Sequence, residues 1–199
     1  MFLPWIQPII RARQDSRRRG GLTSTMVRKA AAWLLLAALL SFIPSRTAHA
    51  GVPTADNLIG GQSQSFTLTD QYNRPRTIAF PTDKPLVLML GDRGGSEQIE
   101  PWVRELYQRY GDSIEIQGIA ILRGVPAPIR PIIRSQLRSR APKSVLLDWG
   151  GAIADMYRCQ SEVCNVVVID RQGRISTIVR GGVSPERARL VCQALDRIR

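Results

Sequence analysis

Pro85-Leu-Val-Leu-Met-Leu-Gly-Asp-Arg-Gly-Gly-Ser-Glu-Gln-Ile-Glu-Pro-Trp102 holds a strand, a tight turn and a helix start in one run. Leu86 to Leu90 is continuously apolar, as a strand buried on both faces of a parallel sheet must be. Gly91 to Gly95 then breaks the run. From Ser96, a reasonable N-cap, Ile99, Trp102, Val103, Leu106 and Tyr110 fall at helical spacing, and Gly111 is a reasonable stop.

Working outward, Ser65 to Leu68 and Arg76 to Phe80 are short β-type runs around the turn cluster Asp70-Gln-Tyr-Asn73, which predicts a hairpin. Ile114 to Leu122 alternates as a strand does. Pro128 to Arg140 is expected to be a helix, with Pro131 in its first turn. Val145 to Leu147 is a short strand, and a small helix follows over Ala152 to Tyr157. Asn165 to Asp170 and Ile175 to Val179, joined by Arg171-Gln-Gly-Arg174, form a second hairpin. Ser184-Pro-Glu starts the last helix, with Ala188, Val191, Cys192, Leu195 and Ile198 as its buried stripe. Helices between strands imply parallel pairing through right-handed crossovers, and the second hairpin adds an antiparallel edge. The expected class is α/β: a three-layer arrangement with a central mixed sheet, helices on its faces and an N-terminal β-hairpin.

The first fifty residues read as a leader. Met26-Val-Arg-Lys29 is cationic, Ala30 to Ile43 is apolar, and Ala48-His-Ala50 presents small residues for cleavage after Ala50. The apolar run is shorter than the roughly 20 residues a membrane span needs. Residues 1–25 extend the cationic region, and Met26 is a second candidate start. This pattern predicts an exported, periplasmic protein with no stable membrane span after cleavage, a flexible lead-in over 51–64 and one domain over 65–199.

Removing the leader lowers the formal charge from +12 to +5, so the basic character is not an argument for nucleic acid. The only histidine, His49, goes with it. What is left cannot run a Ser-His-Asp or Cys-His mechanism or supply an imidazole ligand to a metal. No metal site and no cofactor is implied.

Three segments resemble the thioredoxin superfamily in its redoxin branch, the peroxiredoxin and TlpA-like proteins. They are Phe66 to Asp70 with Arg76-Thr-Ile, Leu86 to Trp102 with its helix proline Pro101, and Leu147 to Tyr157 with Val166 to Ile175. The resemblance implies a thioredoxin-like domain over 65–199 and a Cys-x-x-Cys pair in the first turn. Here Arg93 and Ser96 stand in the two cysteine positions, and Cys164 stands where the family places a cis-proline, so a trans peptide is expected. The similar group is the YtfJ-type periplasmic set, which lacks the dithiol.

Cys159 and Cys164 are expected first as a structural disulfide closing a small loop. The alternative is a relocated catalytic redox pair, or peroxide reduction by Cys164 alone. Asp92, Arg93, Gly94, Gly95 and Ser96 form a candidate ligand-binding turn, since backbone N–H groups at a helix start with an added guanidinium suit an anion. Arg130, Arg134 and Arg138 read as a solvated helix face, and Asp148, Asp155 and Asp170 as structural turn residues. The expected function is binding of a periplasmic protein partner or a small anionic ligand by a chain that has lost dithiol chemistry. A divergent thiol–disulfide oxidoreductase is the alternative.

Overall fold

Strand β3 (Leu86–Gly91) is buried at all six positions and forms the middle of a five-stranded sheet ordered β5-β4-β3-β6-β7. The structure is a computed structural model and describes residues 55–141 and 143–199. The leader, its cleavage site and the start of the lead-in lie outside these residues. β4 (Glu115–Ile121) pairs parallel with β3, and β5 (Val145–Asp148) pairs parallel with β4. β6 (Asn165–Ile169) runs antiparallel to β3, so the second hairpin joins the sheet at its centre and only β7 (Ile175–Arg180) is the edge. β1 (Phe66–Thr69) and β2 (Pro75–Ile78) make the separate N-terminal hairpin.

Side chains of a strand alternate between faces, and this divides the interior into two cores. Val87 and Met89 join Val166, Val168 and Cys164 beneath α2 (Ile99–Tyr110) and α5 (Pro185–Ile198), which contribute Trp102, Leu106, Val191 and Leu195. Leu86, Leu88 and Leu90 face the other way, onto Phe66, Ile78, Leu146, Tyr157 and Val167. Tyr157 and the Ile153 of α4 (Ala152–Met156) bring that short helix into the second core. The buried pair of hydroxyls Ser63 and Tyr157 satisfy each other at 2.6 Å.

Both sheet edges are covered. The end of the expected lead-in is tied to β7, with Gly60 N–H donating to Ile175 O at 2.8 Å and Ser63 N–H to Gly173 O at 2.7 Å. At the β5 edge the buried Gln71 amide acts as a strand would. Its Oε1 accepts from Val145 N–H (2.8 Å) and its Nε2 donates to Lys143 O (3.0 Å). Edge groups left unpaired would invite association with another chain.

Beside it, Asp70 closes the hairpin turn, accepting from Tyr72 N–H, Arg74 N–H and the Ser144 hydroxyl. Burial pushes its carboxyl up, but these hydrogen bonds and the Arg74 charge outweigh burial and hold it below its ordinary value. A depressed folded value makes the unfolded chain the better proton acceptor in acid. The stabilisation from Asp70 is therefore complete above about pH 4 and lost as pH falls through the folded value. Urea titrations of wild type and Asp70→Asn should converge in acid and diverge towards neutral pH.

Candidate functional site

The turn after β3 begins a helical turn earlier than Ser96. Asp92 is the N-cap of α1 (Arg93–Ser96), its Oδ1 accepting from Gly95 N–H at 2.9 Å. Ser96 ends that turn, its hydroxyl donating back to Arg93 O (2.8 Å), and α2 follows from Ile99. A short acceptor three residues before the free N–H group is the stronger cap, and Asp92 offers it.

Facing this turn is the loop 160–165. Asp92 Oδ2 accepts from Glu162 N–H at 2.8 Å, so one carboxylate caps α1 and holds the loop. Gln98 works in the same way from the other side. Its Nε2 donates to Glu162 O (3.3 Å) and its Oε1 accepts from Cys164 N–H (3.2 Å). Glu162 is thereby kept at φ 64°, in the left-handed region that non-glycine residues rarely occupy. Asn165 closes the loop internally, accepting from Gln160 N–H and donating to Gln160 O and Val163 O.

The two surfaces are in close contact. A Cβ on Gly95 would lie 2.5 Å from the Val163 carbonyl carbon, and one on Gly94 would lie 3.0 Å from Glu162 Cα. Gly95 and Gly94 are needed for this approach. The space that an anion would take over the turn is filled by the loop backbone and by the Glu162 carboxylate, and the Gly95 and Ser96 N–H groups are already bonded to Asp92. Of the five expected ligand-binding residues, Arg93 alone is exposed, on the rim of the junction. Asp92→Ala should cost about 1–2 kcal/mol from the lost cap. It should also raise amide exchange at Glu162, which hydrogen exchange with mass detection would read.

The cysteines correct the first expectation about them. Cys159, Cys164 and Cys192 are all free thiols, and the expected Cys159–Cys164 disulfide is not formed. Cys164 shares the side-chain parity of Val166 and Val168 and enters the first core, whereas Cys159 packs against the second. Burial pushes the Cys159 thiol up to about 12, partly offset by Arg180 and reinforced by Asp148, Asp155 and Asp92. Burial, then the neighbouring Cys159, takes Cys164 up to about 12 as well. Both shifts run opposite to the lowered values of reactive cysteines. The peptide before Cys164 is trans, since Phe80–Pro81 is the cis bond among the described residues.

A cleft of about 280 Å³ opens beside the junction, lined by Asp92, Ile121, Arg123, Ala154, Asp155, Cys159, Gln160 and Ser161. Arg123 is committed there, to Asp155 at 2.5 Å and to Gly151 O at 2.9 Å. Asp148 and Asp170 serve turns as expected, Asp148 accepting from three backbone N–H groups at the start of α4. The solvated face expected of Arg130, Arg134 and Arg138 is met in part: Arg138 is exposed, while Arg130 and Arg134 are half-buried. These residues of α3 (Arg130–Arg140) reach Trp149 and the N-terminal hairpin. Gln98 and Glu162 carried no signal in the sequence, because their role depends on two segments more than sixty residues apart.

No protein-family model matches the sequence, and no curated protein matches it. Solved structures do. A candidate protein disulfide isomerase from Bacteroides thetaiotaomicron is 20% identical with TM-score 0.53, the match covering 70% of this chain and 89% of the other. The exposed lipoprotein thioredoxin of Streptococcus pneumoniae is 15% identical, with TM-score 0.52 and coverage of 67% and 99%. A candidate thiol:disulfide interchange protein DsbE from Chlorobium tepidum is 18% identical, with TM-score 0.52 and coverage of 69% and 97%. Among the described residues no helix is long and apolar enough to cross a membrane. With its mixed five-stranded sheet, flanking helices and N-terminal hairpin, the chain has the thioredoxin-like fold of these redox proteins.

Proposed function

We propose that this chain is an exported thioredoxin-like protein that has lost dithiol chemistry and acts by binding a protein partner. The observation that carries the reading is the junction where the fold's dithiol would work. Arg93 and Ser96 occupy the cysteine positions, and the loop 160–165 is packed onto the turn. A protein partner suits this surface better than a small anion. The turn's donors are used internally, and the carboxylates of Asp92 and Glu162 lie beside them. The rim, with Arg93, Glu97 and Glu162, offers charges of both signs to a docking surface. The leader pattern and the exposed lipoprotein among the structural neighbours support the extracytoplasmic location.

One observation favours a second reading as a thiol–disulfide oxidoreductase: Cys159 borders the cleft, with Arg180 drawing its thiol downward. Insulin reduction with dithiothreitol separates the two. The binding reading expects the rate seen without protein. Acceleration that disappears in Cys159→Ser would transfer the function to the second reading.

A further inference from the structure

Six basic residues and no acidic one occur between Arg123 and Leu147. Of these, Arg130, Arg134, Arg138 and Lys143 make no ion pair among the described residues, and neither does Arg74 of the adjoining hairpin turn. Their positions are set by aromatic rings and neutral acceptors. Arg130 and Arg134 lie over the Trp149 ring at 5.0 and 5.6 Å, Arg74 over Tyr72 at 5.4 Å and Lys143 over Tyr107 at 5.3 Å. Arg134 also donates to Asn73 Oδ1, and Arg138 to Gln71 O at 3.1 Å. Arg130 Nε, Arg134 Nε and Trp149 Nε1 are buried donors without an acceptor among the described residues. The result is a fixed positive surface along the seam of α3 and the hairpin, where the one nearby carboxylate, Asp70, is buried and taken up by the turn.

Building on the partner-binding reading, we infer that this seam docks an acidic polypeptide segment. Arg130 to Arg138 spans about 12 Å of helix, too long for one small oxyanion. The cleft beside the junction is not lined by Arg130, Arg134 or Arg138. The ligand is therefore extended and carries several negative charges. A single strand of nucleic acid needs free aromatic faces for stacking, and the rings of Trp149, Tyr72 and Tyr107 already carry cations. Arg74, Arg138 and Lys143 are exposed and Arg130 and Arg134 half-buried, so the seam is open to a partner. Carboxylates spaced along a peptide match forked guanidinium donors bidentately.

The test is fluorescence anisotropy of a labelled peptide of alternating glutamate and glycine against the full chain. Binding should weaken at least about tenfold between about 0.01 M and about 0.1 M salt, as the screening length contracts from about 30 to about 10 Å. Arg130→Gln/Arg134→Gln/Arg138→Gln should lose about tenfold or more in affinity. Because that triple change also loosens α3 from Trp149, Arg74→Gln/Arg138→Gln/Lys143→Gln is measured beside it, with the Trp149 contacts intact, and should lose at least about threefold. Undetectable peptide binding, or binding unchanged in both variants, overturns the inference. So does tighter binding of an oligothymidylate or of phosphatidylserine vesicles that the same variants abolish. Insulin reduction reads the partner-binding hypothesis separately, because it does not involve this surface.

Discussion

Gly95→Ala should destabilise the protein by about 2–3 kcal/mol, at the upper end of what a single added methyl costs in a filled interior. The new Cβ would meet backbone, 2.5 Å from the Val163 carbonyl carbon and 3.0 Å from Cys164 N, and backbone cannot rotate away as a side chain can. Relief requires the loop 160–165 to move off the turn. That movement strains the Glu162 N–H bond to Asp92 and the two bonds to Gln98. Gly150→Ala is the control, since nothing lies within 4 Å of its Cβ position, and it should stay within about 0.5 kcal/mol of wild type. Urea denaturation of the three proteins checks both. A Gly95→Ala chain as stable as wild type would show that the loop is not seated on the turn.

Trp102→Ala should cost more, about 3–5 kcal/mol, the range for deleting a large buried aromatic. The ring is fully buried in the first core against α5 and the central strands, and its Nε1 donates to Gly181 O at 2.9 Å. Trp102→Phe keeps most of the packing but leaves that carbonyl without its donor, and should cost about 1–3 kcal/mol. The order wild type, Phe, Ala in denaturation midpoint is the expected result. Equal losses for Phe and Ala would place the energy in the hydrogen bond and not in the packing.

The fold was legible because its signals are local. The apolar run Leu86 to Leu90, the Ser184-Pro-Glu start of the last helix and the Arg171-Gln-Gly-Arg174 turn each specify their own element. The family resemblance added the order in which they pack. What failed depended on distant partners. Arg130, Arg134 and Arg138 repeat like an exposed helix face, and only the arrival of Trp149 and the hairpin half-buries Arg130 and Arg134 and ties Arg138 to Gln71 O. The Cys159–Cys164 pair looked like a loop-closing disulfide because spacing alone ignores that the two side chains pack into different cores. The parity of Cys164 with Val166 and Val168 was the signal available against it. Asp92 was read as part of a ligand-binding turn, and nothing local signals that its two oxygens join the turn to the facing loop.

The central claim is that no thiol of this chain turns over. Its most direct test is to equilibrate the full chain in glutathione buffers from about −300 to −180 mV, then alkylate and map the cysteines by mass. Cys159 and Cys164 should stay unbonded across the range, and Cys164 should alkylate only on unfolding. A Cys159–Cys164 bond that opens and closes reversibly, with a midpoint above about −230 mV, would contradict it.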